Sequence, residues 1–163
     1  MTGKEDITMR KIKWGVLGTA NIARGCTIPG MQLAENCRLY AIAGRNLEKA
    51  EAFKAEFGFE KAYDSYEALL ADPQVEAVYI PLPNELHCPW TAKALRAGKH
   101  VLCEKPMAYN AQEAEEMKAE ADKQGKMLNI GVCNRFNTYV MKIRELIDSG
   151  ELGEVYHAYA SFR

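Results

Sequence analysis

Short apolar runs alternate with longer amphipathic segments along most of this chain, and the alternation predicts strands connected by helices. The run Ala77 to Ile80 is apolar throughout, which is typical of a strand covered on both faces. Apolar runs of this kind predict strands at residues 11–17, 37–43, 62–63, 77–80, 100–103, 127–133 and 155–162.

Polar residues at the ends of the amphipathic segments predict where the helices start and stop. Asn46 and residues 110–113 are N-terminal caps, and residues 64–67 resemble a capping box. Gly98 is a C-terminal cap for a helix over residues 85–97. A helix that starts at Asn21 is expected to be interrupted near residues 29–30, because proline lacks the donor that a helix interior needs.

The repeated order of strand and helix predicts a parallel sheet with helices on both faces, a doubly wound Rossmann fold with three αβα layers. Residues 1–10 form a polar tail and residues 11–150 the Rossmann domain. Residues 151–163 leave the αβ rhythm, and we expect them to start a second domain.

Composition excludes several classes of function. The 163 residues carry 21 basic and 22 acidic side chains, a formal net charge of −1, which gives no electrostatic footprint for nucleic acid or an anionic membrane. No segment is apolar for the length of a bilayer, and the polar N-terminus lacks the core of a signal peptide, so a cytoplasmic location is expected. The five cysteines lack metal-ligand or redox spacing, which predicts reduced residues and no metal site.

The loop after the first strand has the layout of a dinucleotide fingerprint, with alanine at two of the three glycine positions. In the sequence Gly18-Thr19-Ala20-Asn21-Ile22-Ala23, Gly18 permits a tight turn and Ala20 a close approach to a pyrophosphate. The N-terminus of the following helix offers free N–H groups to phosphate. A plain αβ turn is the alternative.

The loop after the second strand carries Arg45 where an NAD site usually has an acidic residue. A guanidinium suits a 2′-phosphate, so NADP is favoured modestly over NAD. The alternative is that Arg45 is a solvated surface residue or stacks on adenine.

The loop after the fourth strand contains Pro81, Leu82, Asn84 and His87. Its prolines fix an extended path over the crevice. Asn84 either caps the next helix or binds the cofactor, and a lone histidine such as His87 is more often structural than catalytic.

Glu104-Lys105-Pro106 directly follows the fifth strand. A lysine beside oxidised nicotinamide would have a lowered pKa, which suits proton exchange with a substrate hydroxyl. Lys105 is therefore the candidate catalytic residue. The alternative is a local ion pair between Glu104 and Lys105 at the edge of the sheet.

Taken together, these motifs make the chain resemble the N-terminal domain of the glucose–fructose oxidoreductase/inositol dehydrogenase (Gfo/Idh/MocA) family from Lys13 onward. The most specific of them is GKHVLCEKPM at residues 98–107. The other matching stretches are WGVLGTANIA at residues 14–23, AGRN at 43–46, PNELH at 83–87, Arg135-Phe136, and LIDSGELGEV at 146–155.

The resemblance implies a role for each loop in an NAD(P)-dependent oxidoreductase. Glu104 would approach the nicotinamide ribose, Lys105 would act on or orient the substrate, and Arg135 would line a domain junction. The other implied contacts are Gly18, Ala20 and Ala23 at the pyrophosphate and first helix, Arg45 at the adenosine ribose, and Pro83, Asn84 and His87 near the nicotinamide.

Family members carry a second α/β domain that forms most of the substrate pocket and usually the subunit interface. The resemblance therefore implies hydride transfer from a sugar, polyol or dihydrodiol in the full-length protein, and a possible homo-oligomer. A non-catalytic dinucleotide-binding or regulatory module, which associates through the strand at residues 155–162, is the alternative.

Overall fold

The computed structural model describes residues 10–161, so most of the predicted tail lies outside the described residues. Six parallel strands form one sheet in the order β3-β2-β1-β4-β5-β6, which confirms the doubly wound fold. The strands are β1 (Ile12–Leu17), β2 (Cys37–Ala43), β3 (Lys61–Tyr63), β4 (Ala77–Ile80), β5 (His100–Cys103) and β6 (Leu128–Ile130).

Helices connect the strands, and their caps largely follow the prediction. The side chains of Asn46, Ser65 and Asn110 each accept a backbone N–H of the first helical turn, and Gly98 has φ +76° after its helix. None of the helices within residues 10–161 is long and apolar enough to cross a membrane. The helices are α1 (Ile28–Leu33), α2 (Leu47–Phe57), α3 (Tyr66–Ala71), α4 (His87–Arg96), α5 (Ala111–Gln124) and α6 (Thr138–Asp148).

The helix after β1 continues through Pro29, so the predicted interruption is wrong. A π-helical turn, Ala23–Thr27, leads directly into α1, and the Ile28 N–H bonds to the Ala23 carbonyl five residues earlier. Pro29 therefore falls in the first turn of α1, where its missing N–H is tolerated.

The predicted strand at residues 155–162 is also wrong. Residues 155–161 have no regular secondary structure and are exposed, and Phe162 lies outside the described residues. An isolated extended segment has no neighbouring ladder for its N–H and C=O groups, so an alternating side-chain pattern alone does not make a strand.

Two apolar layers cover the two faces of the sheet, as alternation along β4 requires. Val78 and Ile80 face the layer that contains Leu95 and Met117, from the α4 and α5 side. Tyr79 faces the other layer, with residues of the first helix and α2 such as Ile28 and Phe53. The central strand is thus covered on both sides, as its apolar run predicted.

The chain divides into two compact units after Gly131, earlier than the predicted boundary at residue 150. The second unit contains a 3-10 turn, Cys133–Phe136, and α6, and neither element has a buried residue. The sequence prediction places α6 in the Rossmann domain because the alternation of strands and helices continues to residue 150. Large apolar side chains of this unit are exposed: Phe136, Tyr139, Met141, Ile143, Ile147, Leu152, Val155, Tyr156 and Tyr159.

Asp72, after α3, is the centre of a polar network at the amino-terminal edge of the sheet. Its buried carboxylate accepts hydrogen bonds from Lys61 Nζ at 2.8 Å, Tyr63 Oη at 2.6 Å and Gln74 N at 2.8 Å. Burial acts to raise the pKa of Asp72, but the hydrogen bonds outweigh burial and hold the pKa well below its usual range. The backbone carbonyl of Asp72 accepts a bond from the buried Lys99 ammonium at 2.7 Å.

We expect Asp72→Asn to lower the free energy of unfolding at pH 7 by about 1–2 kcal/mol, because the charged acceptor is lost. A carboxylate with a depressed folded-state pKa stabilises the fold above its unfolded pKa of about 4 and loses that effect as the pH falls further. The deficit of the variant should therefore shrink in denaturant titrations below pH 4. Glu115→Gln, at an exposed side chain, is the control, and a deficit independent of pH would contradict this account.

Candidate functional site

The candidate site is a cavity of about 260 Å³ where the strand order reverses. β1 pairs with β2 on one side and with β4 on the other, so the loops that leave these strands diverge and open a crevice. The lining residues all come from loops or helix starts at the carboxyl edge of the sheet: Gly18, Thr19, Ala20, Gly44, Arg45, Asn46, Lys49, Tyr66, Pro81, Leu82 and Pro83.

Gly18 forms the tight turn at the floor of the cavity. Its φ is +106°, a conformation that residues with a Cβ rarely adopt, and its N–H donates to the Ala43 carbonyl at 2.7 Å. A Cβ on Gly18 would lie 3.1 Å from Leu82 Cδ2. The helix begins at Asn21, two residues after Thr19, and the N–H groups of its first turn have no partners within the helix. The turn and helix start together suit a pyrophosphate.

Basic and hydroxyl groups converge at the β2 side of the cavity. Arg45 is exposed, and Asn46 caps α2 by accepting the Lys49 N–H at 3.0 Å, which places Lys49 in the first turn beside the cavity. Burial raises the pKa of Tyr66, and the Arg45 guanidinium acts in the opposite direction, so the phenol remains a hydrogen-bond donor. Within residues 10–161 neither Arg45 nor Lys49 forms an ion pair with a carboxylate. This arrangement suits an anionic group such as a 2′-phosphate.

His87 connects two of the predicted loops. It is only 1% exposed, and its ring nitrogens lie 2.7 Å from the Pro106 carbonyl oxygen and 2.8 Å from the Leu82 carbonyl oxygen. His87 is therefore placed to hold loops in position. Asn84 makes no side-chain cap; its backbone carbonyl instead accepts the His87 N–H in a 3-10 turn.

Glu104 and Lys105 lie at the carboxyl end of β5 and do not form the ion pair considered as an alternative. Glu104 Oε2 accepts the backbone N–H of Lys105 at 3.1 Å, and the exposed Lys105 ammonium has no hydrogen-bond or ion-pair partner within residues 10–161. The Lys105–Pro106 peptide is cis. The ammonium is thus free for an external partner.

The predicted site residues separate into three groups in the structure. Asn21 and Ile22 are exposed at the helix start, and Arg135 is exposed in the second unit. Asn84, His87, Glu104 and Lys105 do not line the cavity itself. The residues found in its wall are Gly18, Thr19, Ala20, Arg45, Pro81 and Leu82.

Sequence reasoning missed Lys49 and Tyr66 in the cavity wall. Lys49 belongs to the first turn of the helix after β2, and Tyr66 opens the helix after β3. The carboxyl ends of parallel strands share one edge of a sheet, so the first turn of each following helix was the available signal.

A family model described as "Oxidoreductase family, NAD-binding Rossmann fold" (GFO_IDH_MocA) matches residues 12–132. The chain belongs to this family. The match covers all six strands and the cavity, and confirms the resemblance that the loop motifs indicated. Glu104, Lys105 and His87 also fall within the matched range.

Relatives in this family include oxidoreductases that act on sugars and on a dihydrodiol. The chain is 42% identical over 149 residues to D-xylose 1-dehydrogenase (NADP(+)) 2 of Haloferax volcanii, covering 91% of this chain and 45% of that protein. It is 39% identical over 153 residues to trans-1,2-dihydrobenzene-1,2-diol dehydrogenase of Mus musculus, covering 93% of this chain and 46% of that protein.

Among solved structures, the chain is similar to a 3-ketoreductase from Actinomadura kijaniata in complex with NADP. The TM-score is 0.84 at 36% identity, over 89% of this chain and 46% of that one. The chain thus spans about half the length of the relatives it matches.

We expect His87→Ala to destabilise the first unit by about 2 kcal/mol or more, because the contacts of the buried ring with the Leu82 and Pro106 carbonyls are lost and a cavity remains. Denaturant unfolding monitored by circular dichroism measures the change. His157→Ala, at an exposed position, is the control and should have no effect. Equal stability of the His87 variant and the wild type would show that the loop connection contributes nothing.

Proposed function

We propose that this chain is the dinucleotide-binding half of an NADP-preferring oxidoreductase. The observation that carries the proposal is the cavity between a glycine turn at a helix start and the cations Arg45 and Lys49, which form no ion pair within residues 10–161. The turn would take the pyrophosphate, and the cations would take the 2′-phosphate of the adenosine ribose.

The nicotinamide half would lie over β4 and β5, because a doubly wound sheet binds the two mononucleotides on opposite sides of the switch point. This path brings the nicotinamide ribose towards Glu104, whose carboxylate can accept hydrogen bonds from ribose hydroxyls. When bound, the cofactor accepts or donates hydride, and the chain contributes binding and orientation.

The exposed Lys105 ammonium is proposed to handle the proton of the substrate hydroxyl, beside the nicotinamide. Since relatives are named as dehydrogenases of D-xylose and of a dihydrobenzenediol, a sugar, polyol or dihydrodiol is the proposed substrate class of the full-length protein. Three expectations from the sequence stay predictions: that Arg135 lines a domain junction, that the full-length protein forms a homo-oligomer, and that it is cytoplasmic.

Titration of the chain with NADPH and NADH, followed by cofactor fluorescence, tests the cofactor preference. We expect NADPH to bind more tightly, and Arg45→Ala to weaken NADPH binding by about tenfold to a hundredfold while NADH binding changes little, because a charge-assisted bond is worth about 1.5–3 kcal/mol. Arg144→Ala in α6 is the matched control, since Arg144 is exposed in the second unit. Equal affinity for the two cofactors in the wild type would contradict the proposed role of Arg45.

Chemical labelling of lysines tests the placement of nicotinamide at Lys105. Bound NADPH should slow acetylation of Lys105 several-fold, because the cofactor covers the ammonium, whereas adenosine 2′,5′-bisphosphate, which lacks the nicotinamide half, should not. Peptide mass spectrometry measures both rates, with exposed Lys118 of α5 as the internal control. Unprotected Lys105 at saturating NADPH would place the nicotinamide elsewhere.

A further inference from the structure

A chain of hydrogen bonds runs from the first helix to Glu104 through the phenol of Tyr79. Thr27 Oγ1 donates to Tyr79 Oη at 2.9 Å, and Tyr79 Oη donates to Glu104 Oε1 at 2.8 Å. The three residues come from the π-helical turn, β4 and the carboxyl end of β5. The connection thus links the helix of the fingerprint loop to the opposite side of the crevice.

Tyr79 is the largest fully buried side chain in the described structure, with 0% exposure. It lies in the apolar layer with residues such as Val16 and Ile42, where a phenol costs more to bury than phenylalanine unless its hydroxyl is bonded. Burial raises its pKa, so the hydroxyl stays protonated and able to donate. The Tyr79 hydroxyl accepts a hydrogen bond from Thr27 and donates its own proton to the Glu104 carboxylate.

The π-helical turn places Thr27 for this contact. The bond from the Ile28 N–H to the Ala23 carbonyl adds one residue to the turn and changes the direction in which Thr27 projects relative to an α-helix. Such turns inside α-helices occur frequently at functional sites.

Glu104 is held from two further directions. Its Oε2 accepts the Lys105 N–H at 3.1 Å. Gly131, after β6, leaves room for it, since a Cβ there would lie 3.2 Å from Oε1 and 3.4 Å from Cδ. A carboxylate fixed in this way keeps lone pairs free for an external donor while its orientation is set by the protein.

We propose that Tyr79, supported by Thr27, is a positioning residue that orients the Glu104 carboxylate towards the ribose hydroxyls of the nicotinamide half. The inference rests on the proposed function, because it requires a dinucleotide in the crevice. Tyr79 itself acts through Glu104 and does not reach the cofactor.

Affinities of Tyr79→Phe for NADPH and for adenosine 2′,5′-bisphosphate, measured by titration calorimetry, test the proposal. We expect NADPH binding to weaken about fivefold, since one positioned hydrogen bond is worth about 1 kcal/mol, with no change for the bisphosphate. In a Glu104→Ala background, Tyr79→Phe should have no further effect on NADPH affinity, because the group it positions is gone. Tyr40→Phe, which removes the hydroxyl of another largely buried tyrosine, is the matched control.

Gly131→Ala gives a second way to displace the Glu104 carboxylate, since its methyl group would lie 3.2 Å from Oε1. It should show the same selective loss for NADPH, and it keeps the test decisive if Tyr79→Phe folds poorly. Equal losses for both ligands in either variant, or an additive effect of Tyr79→Phe in the Glu104→Ala background, would overturn the positioning role. A wild-type chain that binds the bisphosphate and not NADPH would overturn the nicotinamide half of the proposed function and this inference with it.

Discussion

The reversal of strand order between β1 and β4 is the constraint on which the rest of this molecule depends. β1 is paired on both sides, so the loops that follow β1 and β4 leave in opposite directions and open the crevice between them. Each group with a proposed role in cofactor binding lies just after a strand that ends at this edge or in the first turn of a helix that begins there. The strongly apolar centre of the sheet makes the edge rigid, which allows loops to hold a polar site.

Two buried polar side chains fix the loops to that edge. His87 joins the loop after β4 to the turn after β5 through two backbone carbonyls, and Tyr79 joins the first helix to Glu104. Buried polar groups are costly unless they are bonded, so such connections define one loop geometry much better than apolar packing would. Lys105, in contrast, is exposed and unpaired within the described residues, as expected for a group whose partner is a ligand.

Much of the fold could be predicted because its signals are local. The apolar run at Ala77–Ile80 and the cap residues Asn46 and Asn110 act within a few positions, and the structure confirms them. The prediction of a strand at residues 155–162 was wrong because a strand needs a neighbouring strand for its hydrogen bonds, and its own sequence does not encode one. Pro29 was misjudged because a π-helical turn changes the hydrogen-bond register before it.

The site was predictable at its turns and much less so in its interior. Gly18 and Arg45 follow from the position of a loop after a strand, and both lie in the cavity wall. Tyr79 looked like one apolar residue of a buried strand, and only the three-dimensional contacts with Thr27 and Glu104 give its hydroxyl a role. The contacts of His87 were not predictable, because its partners are backbone carbonyls, which the sequence pattern does not distinguish, and Pro106 lies 19 residues away.

The most direct test of the central claim, a dinucleotide in the crevice at the carboxyl edge, is an amide NMR titration of the labelled chain with NADPH. We expect the signals of Gly18, Gly44, Leu82 and Glu104 to shift together, while that of Lys99 at the opposite edge of the sheet stays in place. Shifts centred on the amino-terminal edge, or no shifts at millimolar NADPH, would contradict the claim.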